Sequence, residues 1–297
     1  MNDKIDFVMI WVDGNDPEWR KEKDKYSNNI DNNTDNREAR FRDWDNLQYW
    51  FRGVEKFAPW VNKIHFVTCG HLPKWLNTEN PKLNIVKHKD FIPEKYLPTF
   101  NSHTIELNLH RIKGLAENFV YFNDDLFIVK KTKDTDFFKN NIPCDTAALN
   151  ANISYRENKN HSQEAIMEII NDHFNKNTVI KKNFIKWFNL KYGKELLRTT
   201  NLMLWNAFPG ILHMHLANSF KKSTFETVWK LEPEVLDETC LCKFRYALNV
   251  NQWIMKDWQL VTGNFCPRSA NFGKSYTIND DKKNNENIYN TLRKQKY

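Results

Sequence analysis

The sequence predicts an α/β fold, Rossmann-like, with a mostly parallel central sheet and a helical insertion or lobe. Three observations carry this prediction. In the first 150 of 297 residues, short apolar runs alternate with helical segments, as strands and crossover helices do. One apolar run ends at Asn123-Asp124-Asp125, and adjacent carboxylates belong at the open end of a buried strand. After about Asn150 the chain is rich in Asn and Lys, and its apolar spacing is helical.

The elements of the predicted core follow from these patterns. Short apolar runs that stop at turn residues predict buried strands, and apolar residues three and four positions apart predict helices. Pro59 ends the first helix. In chain order we predict a strand over 5–12, a helix from about Asp43, a strand over 63–68, a short helix from Pro73, a strand over 83–86, a helix over 103–117 and a strand over 118–122. Helices are predicted further on over 162–174, 179–189, 224–231 and 250–260, and the stretch 282–297 is a charged helix or a loose tail.

The composition is that of a folded protein with an anionic partner. Aromatic residues make up 14% of the chain, and Trp alone numbers 11. The formal charge of +7 suits nucleic acid, a membrane surface or a phosphorylated small molecule and does not choose among them. No apolar run reaches the roughly 18 residues that span a bilayer, and the N-terminus lacks the apolar core of a signal peptide. We therefore expect a cytoplasmic protein whose five cysteines are reduced thiols.

The sequence predicts that a divalent metal binds the phosphates of the ligand. The chain has only 8 glycines and neither a G-x-G-x-x-G nor a P-loop motif, so another group must bind phosphates if a nucleotide binds. Mg²⁺ or Mn²⁺ takes one or two carboxylates and leaves its other positions to phosphate oxygens and water. Asp124 and Asp125 suit this role, and a parallel sheet would bring Asp13 to the same edge. A solvated turn is the alternative for Asn123-Asp124-Asp125, and a polar surface stretch is the alternative for Asn279-Asp280-Asp281.

Other polar residues have two interpretations each. Asn101 and Ser102 precede a predicted helix and either cap it or bind substrate. Arg40 and Arg42 lie beside the first predicted helix and suit either bidentate phosphate contacts or surface ion pairs. His213-Met214-His215 would place two imidazoles on one face of a strand, where they are either metal ligands or structural side chains.

Together these residues resemble the Stealth family of sugar-phosphate transferases. The first block of the resemblance is the stretch from Ile10 to Pro17, and the second, the most specific, extends from Arg40-Phe41-Arg42-Asp43 to Tyr121-Phe122-Asn123-Asp124-Asp125. The third block contains His215, Lys222-Ser223 and Phe244-Arg245, and the fourth is Ile278-Asn279-Asp280. The family implies transfer of a sugar 1-phosphate from a UDP-sugar donor to a hydroxyl of a saccharide acceptor. UMP is released, and the product belongs to capsular or cell-surface polysaccharide.

The resemblance also implies roles for residues and segments. Residues 1–150 would be the nucleotide-sugar and metal-binding core, 151–212 a helical insertion, 213–281 the completion of the active site and 282–297 the charged tail. The implied catalytic residues are His215 as the base, Arg245, Asp13 and Asp125, and the implied metal ligands are Asp124, Asp125 and Asp280. The implied substrate-binding residues are Arg40, Arg42, Asn101, Ser102, Glu106, His110, Asn123, Lys222 and Asn279. His213 stays an alternative base, although the spacing to Lys222-Ser223 favours His215.

Two rival functions and one question of location stay open. A metal-dependent glycosyltransferase would use the same donor and metal but would release UDP. A non-enzymatic basic protein that binds glycan or nucleic acid would cluster Lys and Arg with aromatics on one face, whereas the aromatics here recur at core-like spacings. We therefore predict no nucleic acid partner. Acceptors of the capsule type are often lipid-linked, so the basic tail either contacts the inner face of the plasma membrane or is solvated.

Overall fold

The computed structural model describes residues 3–27, 33–153, 161–278 and 282–294. The strands, in chain order, are β1 (Ile5–Ile10), β2 (Thr34–Asp35), β3 (Ile64–Thr68), β4 (Leu83–Lys87), β5 (Asn118–Phe122), β6 (Phe138–Lys139), β7 (Ile142–Asp145), β8 (Asn218–Lys221), β9 (Arg245–Tyr246) and β10 (Cys266–Pro267). The helices are α1 (Pro17–Ser27), α2 (Leu47–Phe57), α3 (Ser102–Leu107), α4 (Ser162–His173), α5 (Lys176–Lys182), α6 (Phe184–Trp187), α7 (Glu195–Leu202), α8 (Lys222–Leu231), α9 (Pro233–Leu241), α10 (Trp253–Val261) and α11 (Glu286–Arg293). None of the described helices is both long enough and apolar enough to cross a membrane.

A five-stranded sheet lies at the centre of the fold, in the order β4-β3-β1-β5-β8. The first four of these strands are parallel, and β8 pairs antiparallel with β5 at one edge. The predicted α/β fold with a mostly parallel sheet is therefore confirmed. Strands β3 and β5 are buried along their whole length, which explains why they appear in the sequence as continuous apolar runs.

Each face of the sheet is covered by its own hydrophobic core. Along β5, Phe119 and Tyr121 belong to one core, and Val120 and Phe122 belong to the other. This alternation follows from the two-residue period of a strand. The core that contains Phe122 is closed by the apolar side of α2, where Trp50 is fully buried. The opposite core is larger and is built mainly from α4, α5, α8 and α10.

Three predicted elements differ from the structure. The chain at Pro73 makes a single turn instead of a helix, closed by the bond from Leu76 N to the Pro73 carbonyl (3.0 Å). The predicted helix over 103–117 ends at Leu107, because the side chain of Asn108 donates to the Thr104 carbonyl (2.8 Å), and a 3₁₀ turn follows. Helix α2 begins at Leu47 and not near Asp43.

Two further differences concern the second half of the chain. The residues from His213 to His215 are not in a strand, whereas β8 begins just after them and was not predicted. Its four residues, Asn-Ser-Phe-Lys, show no apolar run that would indicate a strand. The predicted helices over 162–174 and 179–189 are present as α4 and as the pair α5 and α6.

One buried carboxylate ties the strands together at their amino ends. Asp6 in β1 accepts hydrogen bonds from the Asn62 side chain (2.6 Å), the Lys63 N–H (3.1 Å) and the Ala116 N–H (2.8 Å). His65 Nε2 in β3 lies 3.0 Å from Asp6 Oδ2, the oxygen that also accepts from the Ala116 N–H. Burial alone would raise the pKa of Asp6, but the hydrogen bonds from His65, Asn62 and Ala116 bring it below its ordinary value.

We expect Asp6→Asn to lose roughly 2–4 kcal/mol of unfolding free energy at pH 7, because an amide cannot accept all of these bonds. Since the folded-state pKa of Asp6 is lowered, its contribution is present above the unfolded-state pKa and is lost as pH falls through the folded-state pKa. The difference in unfolding free energy between the parent and the Asp6→Asn variant should therefore narrow in acid. Urea unfolding at neutral and acidic pH measures it. Asp24→Asn, on the exposed side of α1, is the control, and an equal loss in both variants would contradict the role of Asp6.

Candidate active site

A cleft of about 250 Å³ opens at the carboxyl edge of the parallel strands. The residues directly after β1, β4 and β5 line it, namely Trp11, His88 and Asn123. Because β8 is antiparallel, the residues before it reach the same edge, and this brings His215 to the cleft. The remaining polar lining consists of Asp35, Arg40, Thr99, Ser102, Glu106, Asp124, Asp125 and Arg245, and the aromatic wall consists of Trp19, Phe41 and Phe100.

Two carboxylates at the end of β5 lie in different surroundings. Burial and the neighbouring charge of Asp125 raise the pKa of Asp124 to about 7, and Asp43 adds to this effect. The Asp125 side chain is 58% exposed, and both of its oxygens lie within 3.0 Å of His215 Nε2. Negative charge thus accumulates here beyond what Arg245 offsets. A cation or a proton is required to balance it.

The two histidines of His213-Met214-His215 have separate environments. His213 is buried, lies against the Trp253 ring (4.4 Å between centroids), and contacts both oxygens of Asp257 at 2.8 and 2.9 Å. His215 lines the cleft, and its hydrogen bond to Asp125 raises its pKa. The geometry therefore makes His213 a structural residue and leaves His215 as the imidazole that a substrate can reach.

A chain of hydrogen bonds crosses the floor of the cleft. Arg245 Nη2 donates to Ser102 Oγ (2.5 Å), and Ser102 Oγ donates to Glu106 Oε1 (3.1 Å). The Tyr121 hydroxyl lies 3.2 Å from Glu106 Oε1 and 2.5 Å from Asn123 Oδ1. Burial raises the pKa of Glu106, although Arg245 opposes this. The chain fixes the guanidinium and the start of the acidic segment relative to each other.

A second group of charges lies beside Arg245. Strands β2 and β9 pair antiparallel, so that Asp35 lies across from Arg245. The buried Asp35 carboxylate binds Arg37 (2.7 Å) and Arg40 (2.5 Å), and the bond from Arg37 lowers the Asp35 pKa well below its ordinary value. Arg40 therefore has an ion pair and also lines the cleft. The ion pair is thus present, and the phosphate contact stays a prediction.

The loop that carries Asp13 lies at the rim of the cleft. The Asp13 N–H donates to His71 Nε2 (2.7 Å), and Asp13 Oδ1 accepts from the Asn15 N–H (2.8 Å). Gly14 packs so closely on the Phe41 backbone that a Cβ atom would lie 1.8 Å from the Phe41 carbonyl oxygen. Asp13 itself does not line the cleft, whereas Trp11 and Val12 just before it do.

Several predicted site residues have other places in the structure. Asn101 is buried, accepts from the His103 N–H (3.1 Å) and donates to Asn249 (3.0 Å), so it caps α3 as the alternative interpretation had it. Arg42 is exposed, and its guanidinium lies over the Trp44 ring (5.4 Å). Asn279 and Asp280 lie outside the described residues.

The structure does not bring His110 and Lys222 to the cleft. The Lys222 N–H donates to the Glu117 carbonyl (2.8 Å), which precedes β5, so Lys222 lies at the opposite edge of the sheet from Asp124. The prediction failed there because the antiparallel direction of β8 was not foreseen. His110 is buried beside Phe225 and Trp229 of α8 (5.7 and 6.2 Å between centroids), and burial lowers its pKa to about 3.

The side chains fit a divalent cation that shares its coordination with a ligand. Among the described residues no group of three or more His, Cys, Asp and Glu side chains could hold a metal ion by itself. Asp124 and Asp125 supply carboxylate oxygens, the donors that Mg²⁺ and Mn²⁺ prefer, and their charge is only partly balanced. One or two carboxylates are what a cation bound jointly with a substrate diphosphate requires.

Sequence reasoning missed several residues of the cleft. Phe41 belongs to the Arg-Phe-Arg-Asp motif, which is a signal that could have identified it. Asp43 of the same motif does not line the cleft but adds to the raised pKa of Asp124. His88 and Phe100 lie in the second block of the family resemblance, whereas Asp35 and Trp19 carry no recognisable pattern. Tyr121 was treated as part of a strand, although its hydroxyl belongs to the floor of the cleft.

Comparison with known proteins gives consistent results. The family model described as Stealth protein CR2, conserved region 2, matches residues 40–145, and that of Stealth protein CR1, conserved region 1, matches residues 3–31. A capsular polysaccharide phosphotransferase, WcwK of Streptococcus pneumoniae, is 44% identical over 296 residues, which are 99% of this chain and 88% of the relative. The exopolysaccharide phosphotransferase cps2G of Lactiplantibacillus plantarum is 40% identical over 94% of this chain and 82% of its own. The receptor polysaccharide phosphotransferase WefC of Streptococcus oralis is 38% identical over 93% of this chain and 84% of its own.

We expect Gly14→Ala to lower both turnover and stability, because the added Cβ must displace the Phe41 carbonyl and with it the cleft wall. The loss should be about 1–3 kcal/mol of unfolding free energy. Thermal unfolding and an activity assay measure the two effects. Gly114→Ala is the control, since Gly114 has open space and a φ of +80°, so that only backbone strain is introduced. That variant should lose stability and keep its turnover, and a Gly14→Ala protein that is as active as the parent would refute the argument.

Proposed function

Because the chain belongs to the Stealth family, we propose that it is a polysaccharide phosphotransferase that transfers a sugar 1-phosphate from a UDP-sugar to a hydroxyl of a saccharide acceptor. UMP is the second product, and the phosphodiester formed belongs to capsular or cell-surface polysaccharide. The observation that carries the proposal is the convergence of two carboxylates, an imidazole and a guanidinium in one cleft, at Asp124, Asp125, His215 and Arg245.

Phosphoryl transfer requires charge neutralisation and an in-line hydroxyl, with little covalent work by the protein. Arg245 is held in place by Ser102 and would offset the charge of the equatorial oxygens at the attacked phosphorus. Arg40 is held by Asp35 on the same side of the cleft. Two guanidinium groups at fixed positions therefore face the space where the diphosphate would lie.

His215 is the proposed base. The acceptor hydroxyl would form a bond to the sugar-bearing phosphorus, while the bond from that phosphorus to the oxygen shared with UMP breaks. The hydroxyl proton would pass to the imidazole, and UMP would leave with the bridging oxygen. The hydrogen bond to Asp125 raises the pKa of His215, which makes the imidazole a stronger proton acceptor once it is neutral. Asp125 also fixes the orientation of the ring.

A bound Mg²⁺ or Mn²⁺ would neutralise the diphosphate and polarise its phosphoryl oxygens. Asp124 and Asp125 are the described residues that would hold it. Asp43 adds to the negative field around Asp124 and would favour cation binding without being a ligand.

The aromatic wall is the proposed place of the uridine. Trp19, Phe41 and Phe100 line the cleft and pack on one another, and Phe244 stacks on Phe100 (5.4 Å between centroids). Aromatic faces bind nucleobases by stacking with little dependence on their hydrogen-bonding pattern. The donor would then lie with its base on this wall and its diphosphate between Arg245 and the two carboxylates.

A metal-dependent glycosyltransferase is the second candidate, because the same donor and metal would fit. It breaks the bond between the sugar carbon and the phosphate oxygen, so that UDP leaves. The nucleotide product separates the two reactions without knowledge of the sugar or the acceptor.

We expect the purified protein to release UMP from one UDP-sugar of a panel when Mg²⁺ or Mn²⁺ and a capsule oligosaccharide acceptor are present. Chromatography of the nucleotides resolves UMP from UDP. Omission of the metal or of the acceptor should abolish release. UDP as the sole product would refute phosphotransfer and support the glycosyltransferase.

We expect Asp125→Ala to lower turnover on the order of 10³-fold, because it removes a proposed metal ligand and the partner of His215. Since the side chain is 58% exposed, the midpoint of thermal unfolding should stay within about 2 °C. Asp172→Ala, at an exposed position of α4, is the matched control and should keep full turnover. Normal activity of Asp125→Ala with an unchanged metal requirement would eliminate this assignment.

A further inference from the structure

An unusual apolar surface lies on the segment 176–205, which we call the basic lobe and which contains α5, α6 and α7. Four large apolar side chains of the described residues are more than 70% exposed, and all four lie in the basic lobe: Ile185 (79%), Leu190 (90%), Leu197 (73%) and Leu204 (86%). Phe184 and Trp205 are more than half exposed beside them. Exposed apolar side chains are common singly, whereas this concentration in 30 residues indicates a contact surface.

The basic lobe also carries most of the net charge of the chain. Its 30 residues contain seven lysines and arginines and a single acidic residue, Glu195, which gives a formal charge of +6 where the whole chain has +7. Glu195 is mostly buried and paired with Arg198 (3.3 Å). Lys181, Lys182, Lys191 and Lys194 are exposed. An anionic partner is therefore electrostatically favoured by the same segment that carries the exposed apolar side chains.

Hydrogen bonds within the basic lobe hold its helices together, so the backbone that carries the exposed side chains has a fixed position. The buried Lys176 Nζ donates to the carbonyls of Leu202 (3.1 Å) and Met203 (3.0 Å), which joins the start of α5 to the end of α7. The Tyr192 hydroxyl donates to the Lys186 carbonyl (2.6 Å). Lys186 Nζ in turn donates to the Gly263 carbonyl (2.6 Å), which attaches the lobe to the body of the protein.

The residue types separate a lipid surface from a protein partner. Cores of protein interfaces are enriched in Arg, Tyr and Trp and depleted in Lys, and Leu is under-represented among their hot spots. The exposed cations of the lobe are mainly Lys, and its most exposed apolar residues are Leu and Ile. Lysine next to Leu, Phe and Trp is the composition of surfaces that lie in the headgroup layer of an anionic membrane. Lysine stems can also lie along the apolar boundary while their ammonium groups reach the lipid phosphates.

We propose that the basic lobe docks on an anionic lipid bilayer and inserts Ile185, Leu190, Leu197 and Leu204 below the headgroups. The chain reaches His215 ten residues after Trp205, a span of at most about 35 Å, so the docked lobe would hold the catalytic edge within roughly that distance of the bilayer. This last consequence, which would serve a lipid-linked acceptor, rests on the proposed function. The docking itself does not rest on the proposed function. The proposal places the membrane contact in the basic lobe and not in the tail over 282–297.

The test is sedimentation of the full-length protein with vesicles of phosphatidylcholine, with and without phosphatidylglycerol. We expect binding only to the anionic vesicles, and weaker binding at higher salt. Two double variants, Leu190→Ser with Leu204→Ser and Lys181→Gln with Lys182→Gln, should each lower the partition coefficient about tenfold or more. All of these side chains are exposed, so circular dichroism and the thermal midpoint should stay unchanged.

Two controls make the result specific. Leu248→Ser changes a leucine that is 60% exposed outside the lobe, and Arg293→Gln with Lys294→Gln removes two charges from the tail. Both should bind vesicles as the parent does. Loss of binding in the tail variant alone, unchanged binding in both lobe variants, or no binding to anionic vesicles at low salt would overturn the proposal. Vesicle binding needs no turnover, so its outcome is independent of the nucleotide-release assay.

Discussion

The fold depends on the carboxylate of Asp6 in β1, which binds groups at the amino ends of the two adjacent strands, β3 and β5. Its partners precede or belong to β3 and β5, and Asp6 itself lies in β1. These contacts hold the three strands parallel and level with one another. Because parallel strands that are level at one end are also level at the other, their following loops open at a single edge. The cleft is the direct consequence of this arrangement.

The carboxylates at the two ends of the sheet have pKa values that are shifted in opposite directions. At the amino end the Asp6 carboxylate has hydrogen-bond donors for both oxygens, and its pKa is lowered. At the carboxyl end burial and Asp125 raise the pKa of Asp124, and Arg245 compensates only in part. A stable protein tolerates such an imbalance where a ligand restores it. One sheet thus contains a charge that serves folding and a charge that is left for binding.

The sequence was sufficient for the parts of the fold that have a local signal. Strands β1, β3 and β5 are buried on both faces, so their apolar runs could be recognised, and the acidic stretch that ends β5 marked the cleft. Strand β8 has no such run, and its direction decides that His215 lies at the cleft and Lys222 does not. Helix α2 starts later than predicted. Asp45, two residues before it, has a positive φ of 49°, and the spacing of apolar residues gives no sign of such a backbone angle.

The roles of single polar residues depended on partners far away in the chain. His213 and His215 cannot be distinguished from their sequence alone, because Asp257 and Asp125 decide which ring is buried and which is accessible. Asp35 and Arg245 are joined by a ribbon of only two residues on each strand, too short for a period of alternation to be seen. The family resemblance supplied Arg245 and His215, which local patterns could not. Their catalytic roles stay predictions.

Asp124 and Asp125 are neighbours in sequence but differ in what they can do. Asp124 is half-buried and makes no ion pair with a described side chain, and Arg245 only partly opposes the rise of its pKa, whereas Asp125 is exposed and bonded to His215. Neutralisation of Asp124 by a cation would reduce the repulsion between the two neighbouring carboxylates. Asp125 could then hold the imidazole and share the cation at the same time. The proposed metal and the proposed base would therefore depend on each other through this one carboxylate, and loss of either should weaken the other.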